Sequence, residues 1–223
     1  MSKLSLYSYF RSSAAYRVRI ALNLKGLSYD TRYINLIKDG GEQHSSHYHQ
    51  INPQGLVPAL VANDQSIITQ SLAIIEYLNE RHPEPPLLPG SAIQRAQIRA
   101  FALAISCDIH PLNNLRVQTY LKDELNANDA DKMTWYHHWI RIGFSALEQQ
   151  LSATNNNSLF CFGDTPTMAD ACLIPQIYNA IRFNLDLSDY RTLKNIYSHC
   201  IELEAFHEAS PENQPDCPEY KEA

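Results

Sequence analysis

Four prolines, at 83, 85, 86 and 89, fall within seven residues and are closed by Gly90. Proline cannot donate a backbone hydrogen bond and clashes with a preceding helical turn, so neither a helix nor an interior strand crosses this stretch. A linker over residues 83–90 is expected, with one domain over 1–82 and a second over 91–223. Before the linker the pattern alternates between strands (3–9, 29–35, 57–62, 66–68) and helices (13–25, 70–81). That alternation describes a small α/β or α+β domain. After it, helical periodicity dominates over 92–122, 130–151, 168–182 and 193–207, so the second domain is expected to be all-helical. From Ser210 onward three prolines and many charges describe a poorly ordered tail.

Composition narrows the functional classes. No run of about 18 apolar residues occurs, so no membrane span is expected. Met1-Ser2-Lys3-Leu4 leads directly into a strand without the apolar core of a secretion leader. The five cysteines, at 107, 161, 172, 200 and 217, are odd in number and form no C-x-x-C pair. This suits reduced thiols in a cytoplasm better than a disulfide frame or a zinc site. His44, His47, His49, His137 and His138 form no coherent ligand set, so no metal is expected. The net charge of −6 is uneven: residues 1–82 carry eight Lys/Arg against six Asp/Glu, and residues 83–223 carry ten against eighteen. An acidic second half argues against nucleic acid as partner, and the first half is the better host for a small anion.

Residues 7–19 read Y-S-Y-F-R-S-S-A-A-Y-R-V-R, a strand running into a helix with two serines at the junction. A helix start offers unpaired N–H groups and a positive dipole end, both suited to an anion. Ser12 or Ser13 also suffices as an ordinary N-cap. Pro58, at the start of the apolar run Val57-Pro58-Ala59-Leu60-Val61, indicates either a sheet edge or a cis bond. Gln70-Ser71 opens an amphipathic helix whose N-terminus suits a carboxylate. Lys38-Asp39-Gly40-Gly41-Glu42-Gln43 forms a turn. Thr167-x-x-Asp170, ahead of an apolar helix, reads as a capping box with Asp in the Glu role.

Taken in order, S-S-A-A-Y-R-V-R-I-A-L-N-L-K-G, I-N-L-I-K-D-G-G-E-Q, N-P-Q-G-L-V-P-A-L, T-Q-S-L-A-I-I-E-Y-L, C-D-I-H-P-L-N-N-L-R and F-G-D-T-P-T-M-A-D-A-C-L-I-P-Q resemble the zeta class of the glutathione transferases. The resemblance runs to about Phe206. It implies a thioredoxin-like first domain, an all-helical second domain and a cytoplasmic homodimer. The implied activity is the glutathione-dependent cis–trans isomerisation of maleylacetoacetate to fumarylacetoacetate, in tyrosine and phenylalanine catabolism. Glutathione acts as cofactor and a small dicarboxylic diketo acid as substrate. The implied route is addition of a thiolate to the cis double bond, rotation about the resulting single bond and loss of the thiolate. Maleylpyruvate is an alternative substrate that the motifs do not separate. A general transferase or peroxidase acting on electrophiles such as α-halo acids would use the same glutathione residues, and a non-enzymatic module of this fold is the other alternative.

The resemblance also assigns residues. Ser12, Ser13 and Arg17 match the family motif at the start of the first helix, and Ala14 stands where that motif has cysteine. Ser12, supported by Ser13, is the implied donor to the glutathione sulfur, whose reactive form is the thiolate. Val57 matches the backbone partner of the cysteinyl unit, Gln70 and Ser71 the γ-glutamyl pair, and Gln43 the glycine end. His110 and Asn114, one helical turn apart, are implied glutathione contacts. Arg11, Arg182 and Arg116 are the candidates for the substrate carboxylates, because a guanidinium binds them through a planar fork.

Overall fold

The structure, a computed structural model, describes residues 4–153 and 158–220. Two compact units form: Met1–Leu87 with Glu202–Ala223, and Leu88–Ile201.

In the first unit the elements run β1 (Leu4–Ser8), α1 (Ser13–Leu24), β2 (Tyr29–Tyr33), α2 (Ser46–Ile51), β3 (Ala59–Val61), β4 (Ile67–Thr69) and α3 (Ser71–Arg81). The sheet order is β2-β1-β3-β4. β1 and β2 are parallel, which requires a crossover, and α1 supplies it. The β1–β3 and β3–β4 pairs are antiparallel. Leu4, Leu6 and Ser8 alternate inward along β1. The Val57–Pro58 bond is cis. β3 is an interior strand and starts just after Pro58, so of the two sequence alternatives the sheet edge is ruled out. The proline run is tied to this unit as far as Leu87: Lys25 Nζ donates to the His82 and Pro85 carbonyls at 2.7 and 2.8 Å, and Asn79 Oδ1 accepts from Leu87 N at 2.7 Å.

The second unit is helical: α4 (Ala92–Leu103), α5 (Leu115–Asp123), α6 (Asp129–Ala153), α7 (Met168–Arg182) and α8 (Arg191–Cys200). The expected helix over 92–122 is not continuous. A π-helical stretch covers Ala104–Ile109 and a 3-10 turn covers His110–Asn113 before α5 begins. Pro111 removes a donor within that turn, and Ile109 is held against α6 at Gly143, where a Cβ would collide with its side chain. α7 has the expected limits, and its capping box forms as read. Among the described residues no helix is long and apolar enough to cross a membrane.

The expected helix over 193–207 is also divided, into α8 and the short α9 (Glu204–His207). A larger correction concerns the tail. Residues 210–220 are folded, and with α9 they cluster with the first unit, not with the helical one. The carbonyls of the stretch just before this tail receive side-chain donors of α1 (Tyr16 hydroxyl to Phe206 at 3.3 Å, Asn23 Nδ2 to Ala205 at 3.0 Å and Arg19 Nε to Ala209 at 2.9 Å), and within it Asp216 Oδ2 accepts from Phe10 N at 2.9 Å. Its partners lie far off in sequence, Phe10 being 206 residues from Asp216, and leave no local signal, so the segment's prolines and charges read as disorder.

Candidate functional site

Ser12 caps α1 with extended backbone (φ −70°, ψ 113°), its Oγ accepting from Ala15 N at 3.2 Å. A hydroxyl that accepts one bond keeps its own proton to donate. The Ser12 side chain is half-buried at the open end of the helix. Ser13 follows it, buried. Arg17, one turn on, is fully buried and donates from Nη1 to Ser71 Oγ at 3.3 Å, joining the starts of α1 and α3. Arg11 is half-buried beside Ser12. Its Nη2 donates to the Tyr9 hydroxyl at 3.2 Å and its guanidinium lies 4.9 Å from the Phe10 ring centre.

At the start of α3, Gln70 adopts φ 69°, a conformation uncommon for a residue with a side chain. Its amide makes no cap bond and instead donates from Nε2 to Gln54 Oε1 at 2.9 Å. Gln43 is buried; its Nε2 donates to the Leu36 carbonyl at 3.3 Å, while Oε1 is buried with no hydrogen-bond partner. Gly41 (φ 102°) is required beside it, because a Cβ there would strike the Gln43 amide. Val57, buried, immediately precedes the cis bond.

The remaining candidates belong to the helical unit. His110 lies in the 3-10 turn, and Asn114 Nδ2 is 3.5 Å from its Nε2. They are therefore neighbours as expected, through a turn and a cap and not along one helix. Asn114 is the N-cap of α5, its Oδ1 accepting from Arg116 N at 3.1 Å. Arg116 is exposed in the first turn of α5. Arg182, exposed at the last position of α7, sits 4.7 Å from the Phe183 ring centre and eases the ionisation of Tyr136, which burial opposes.

Several residues with a part in this geometry escape a reading of motifs. Tyr48 hydroxyl and Asn52 Nδ2 both donate to the Leu56 carbonyl at 2.7 Å, fixing the approach to Val57. Gln54, which receives Gln70, is set by Asn52 Oδ1 at 3.1 Å from its N–H. The Asn-Pro-Gln-Gly turn signal was the available clue. Two of the buried cysteines are poor nucleophiles: burial, above all, raises the Cys161 and Cys200 thiols, and the Asp170 carboxylate adds to both.

Residues 6–86 match the family model of the glutathione S-transferase N-terminal domain. A probable maleylacetoacetate isomerase of Vibrio cholerae is 50% identical over 216 residues, covering 97% of this chain and 99% of that protein. The holo structure of a maleylpyruvate isomerase, described as a bacterial glutathione transferase of the zeta class, superimposes with a TM-score of 0.91 at 42% identity, over 95% of this chain and 99% of that one. A maleylacetoacetate isomerase of Methylobacterium extorquens AM1, solved with malonate and GSH, gives the same TM-score of 0.91 at 39% identity, over 96% and 99% of the two chains. The strand–serine–helix junction and this likeness over almost the whole length lead to one assignment: the chain belongs to the zeta-class glutathione transferases, the family of the maleylacetoacetate isomerases.

Proposed function

We propose that this protein is a glutathione-dependent cis–trans isomerase that converts maleylacetoacetate to fumarylacetoacetate, working as a cytoplasmic homodimer. The observation that carries the reading is the half-buried Ser12 hydroxyl at the N-terminus of α1, in a chain 50% identical to a probable isomerase of this kind. The residues fit glutathione on a further ground. Gln43 Oε1 is a buried acceptor without a partner, and an amide N–H of the tripeptide would satisfy it. All five cysteines are free thiols, which suits a reducing compartment.

Bound glutathione would supply a thiolate that adds to the cis double bond, permits rotation about the single bond so formed, and departs. Each residue of the chain then has a defined task. Ser12 donates its hydroxyl proton toward the sulfur and, with the positive end of α1, favours the ionised thiol. Ser13, Arg17 and Val57 shape this pocket, and the uncapped start of α3 with Gln70 and Ser71 receives the γ-glutamyl carboxylate. His110 and Asn114 are further polar candidates for glutathione. Arg11, with Arg182 and Arg116, binds the substrate carboxylates; the malonate held by the Methylobacterium relative makes a dicarboxylic acid a natural ligand class.

Maleylpyruvate is the second reading, carried by the equal structural likeness to a maleylpyruvate isomerase. An isomerisation assay with each acid, with and without glutathione, decides between them. Turnover of maleylacetoacetate, absent without glutathione and faster than that of maleylpyruvate, is expected. Turnover of neither acid overturns the isomerase reading in favour of a general transferase.

A further inference from the structure

The connection between β1 and α1 runs Ser8-Tyr9-Phe10-Arg11-Ser12 and contains no glycine, so its path depends on what its backbone groups are bonded to. Two residues outside the connection hold three of them, the Tyr9 and Phe10 carbonyls and the Phe10 N–H. Arg19, fully buried on α1, donates from Nη1 to Ser8 Oγ at 3.1 Å and to the Tyr9 carbonyl at 3.4 Å. Its Nη2 donates to the Phe10 carbonyl at 3.0 Å and its Nε to the Ala209 carbonyl at 2.9 Å. The one guanidinium thus ties the connection to the tail. From the tail in turn, Asp216 Oδ2 accepts the Phe10 N–H at 2.9 Å, across 206 residues. Apolar packing follows the same line: Cys217 and Tyr220 share a cluster with Tyr9, Phe10, Tyr48 and Val57. Burial lowers Arg19 to about 10, so it stays charged at neutral pH, and the Asp216 carboxylate is among the groups that support its charge.

We infer that the C-terminal segment is a positioning element of the sulfur site: Asp216, acting with Arg19, sets the backbone from Tyr9 to Ser12 and thereby the direction of the Ser12 hydroxyl. Asp216 does not touch the ligand; it acts through Phe10. Without its carboxylate the Phe10 N–H loses its acceptor, and the turn that presents Ser12, closed by Ser12 N to the Tyr9 carbonyl at 3.0 Å, is held from outside by Arg19 alone. The inference rests on glutathione being the ligand, as proposed above.

The test uses the full-length protein. Amide hydrogen exchange comes first and needs neither ligand nor variant: Phe10 should exchange as slowly as Leu6 in β1, and rapid exchange at Phe10 overturns the inference. Asp216→Ala should then speed Phe10 exchange by about tenfold or more, as expected for loss of a local protecting bond. It should weaken glutathione binding about tenfold by calorimetry, the scale of one lost hydrogen bond to a charged group. It should also raise the pH at which the bound thiol ionises, followed by the ultraviolet absorbance of the thiolate. Asp216→Asn keeps an acceptor for Phe10 and should restore most of the affinity. An Asp216→Ala protein that folds and binds glutathione with unchanged affinity and unchanged thiol ionisation sinks the inference alone. Failure of the unaltered protein to bind glutathione sinks the reading on which it rests.

Discussion

Two helix starts, one in each unit, are built from the same local chemistry and end in opposite states. At α7, Thr167 Oγ1 accepts from Ala169 N at 3.2 Å and donates to Asp170 Oδ2 at 2.9 Å, while the Asp170 carboxylate takes Thr167 N at 2.8 Å and Cys161 N at 2.7 Å. Both side chains are fully buried. Burial pushes the Asp170 carboxyl upward, and the bonds from Cys161 and Thr167 pull against that shift. At α1, Ser12 makes one cap bond and stays partly open. Thr167 has committed its hydroxyl in both directions, whereas the Ser12 hydroxyl keeps a proton for something else. Whether a cap serves folding or chemistry is therefore decided by how far its hydrogen-bonding capacity is used up, a property of the surroundings and not of the residue.

The largest expected effect tests the saturated end. Asp170→Ala removes the acceptor of the buried Cys161 and Thr167 donors. It should cost about 3 kcal/mol or more in urea unfolding, since each bond to a charged acceptor contributes about 1.5–3 kcal/mol. A loss below about 1 kcal/mol would break the comparison, because Asp170 would then be no more structural than an exposed cap.

At the open end the balance should reverse. Ser12→Ala is expected to lower isomerase turnover by more than about tenfold, through lost stabilisation of the thiolate, while costing only about 1 kcal/mol in unfolding. Full turnover in this variant would make Ser12 a cap and nothing more.

The smallest effect sharpens the contrast between the flank of the open cap and the far end of α7. Arg11→Ala or Arg182→Ala should raise KM for the diketo acid about tenfold and leave glutathione affinity within about threefold, because a lost charged bond is felt at the group it contacted. Lysine at either position should rescue only partly, since it restores charge without the fork. Unchanged KM in both alanine variants would shift the carboxylate site toward Arg116.

Much of this architecture was legible in the chain because its signals are local. The serine pair, the Thr167–Asp170 box, the limits of α7 and the break at the prolines each depend on residues a few positions apart. What escaped is held by distant partners. Arg19 was not singled out in the sequence, yet it is buried, and the Ala209 carbonyl that receives it lies 190 residues away. The π-helical stretch at Ala104–Ile109 was hidden for the same reason, since the Ile109 side chain at its end fills the space that a side chain on Gly143, in another helix, would take. The Asn114 cap was visible as a residue type but not as a helix boundary, because apolar periodicity continues through it.

The bond from Arg19 to Ala209 also sets a timetable. The acceptor is made 190 residues after the donor, an interval of roughly ten to forty seconds at ordinary translation speeds. Once residue 87 has been added, the nascent first unit holds the residues of its sheet and of α1 to α3 but lacks the segment that covers α1. The helical unit lies wholly between the two parts in sequence, so all of its residues are added while its predecessor is still incomplete. The first unit to be synthesised is thus the last to be finished, and a nascent chain stalled before residue 209 would present the uncovered face of α1 to chaperones.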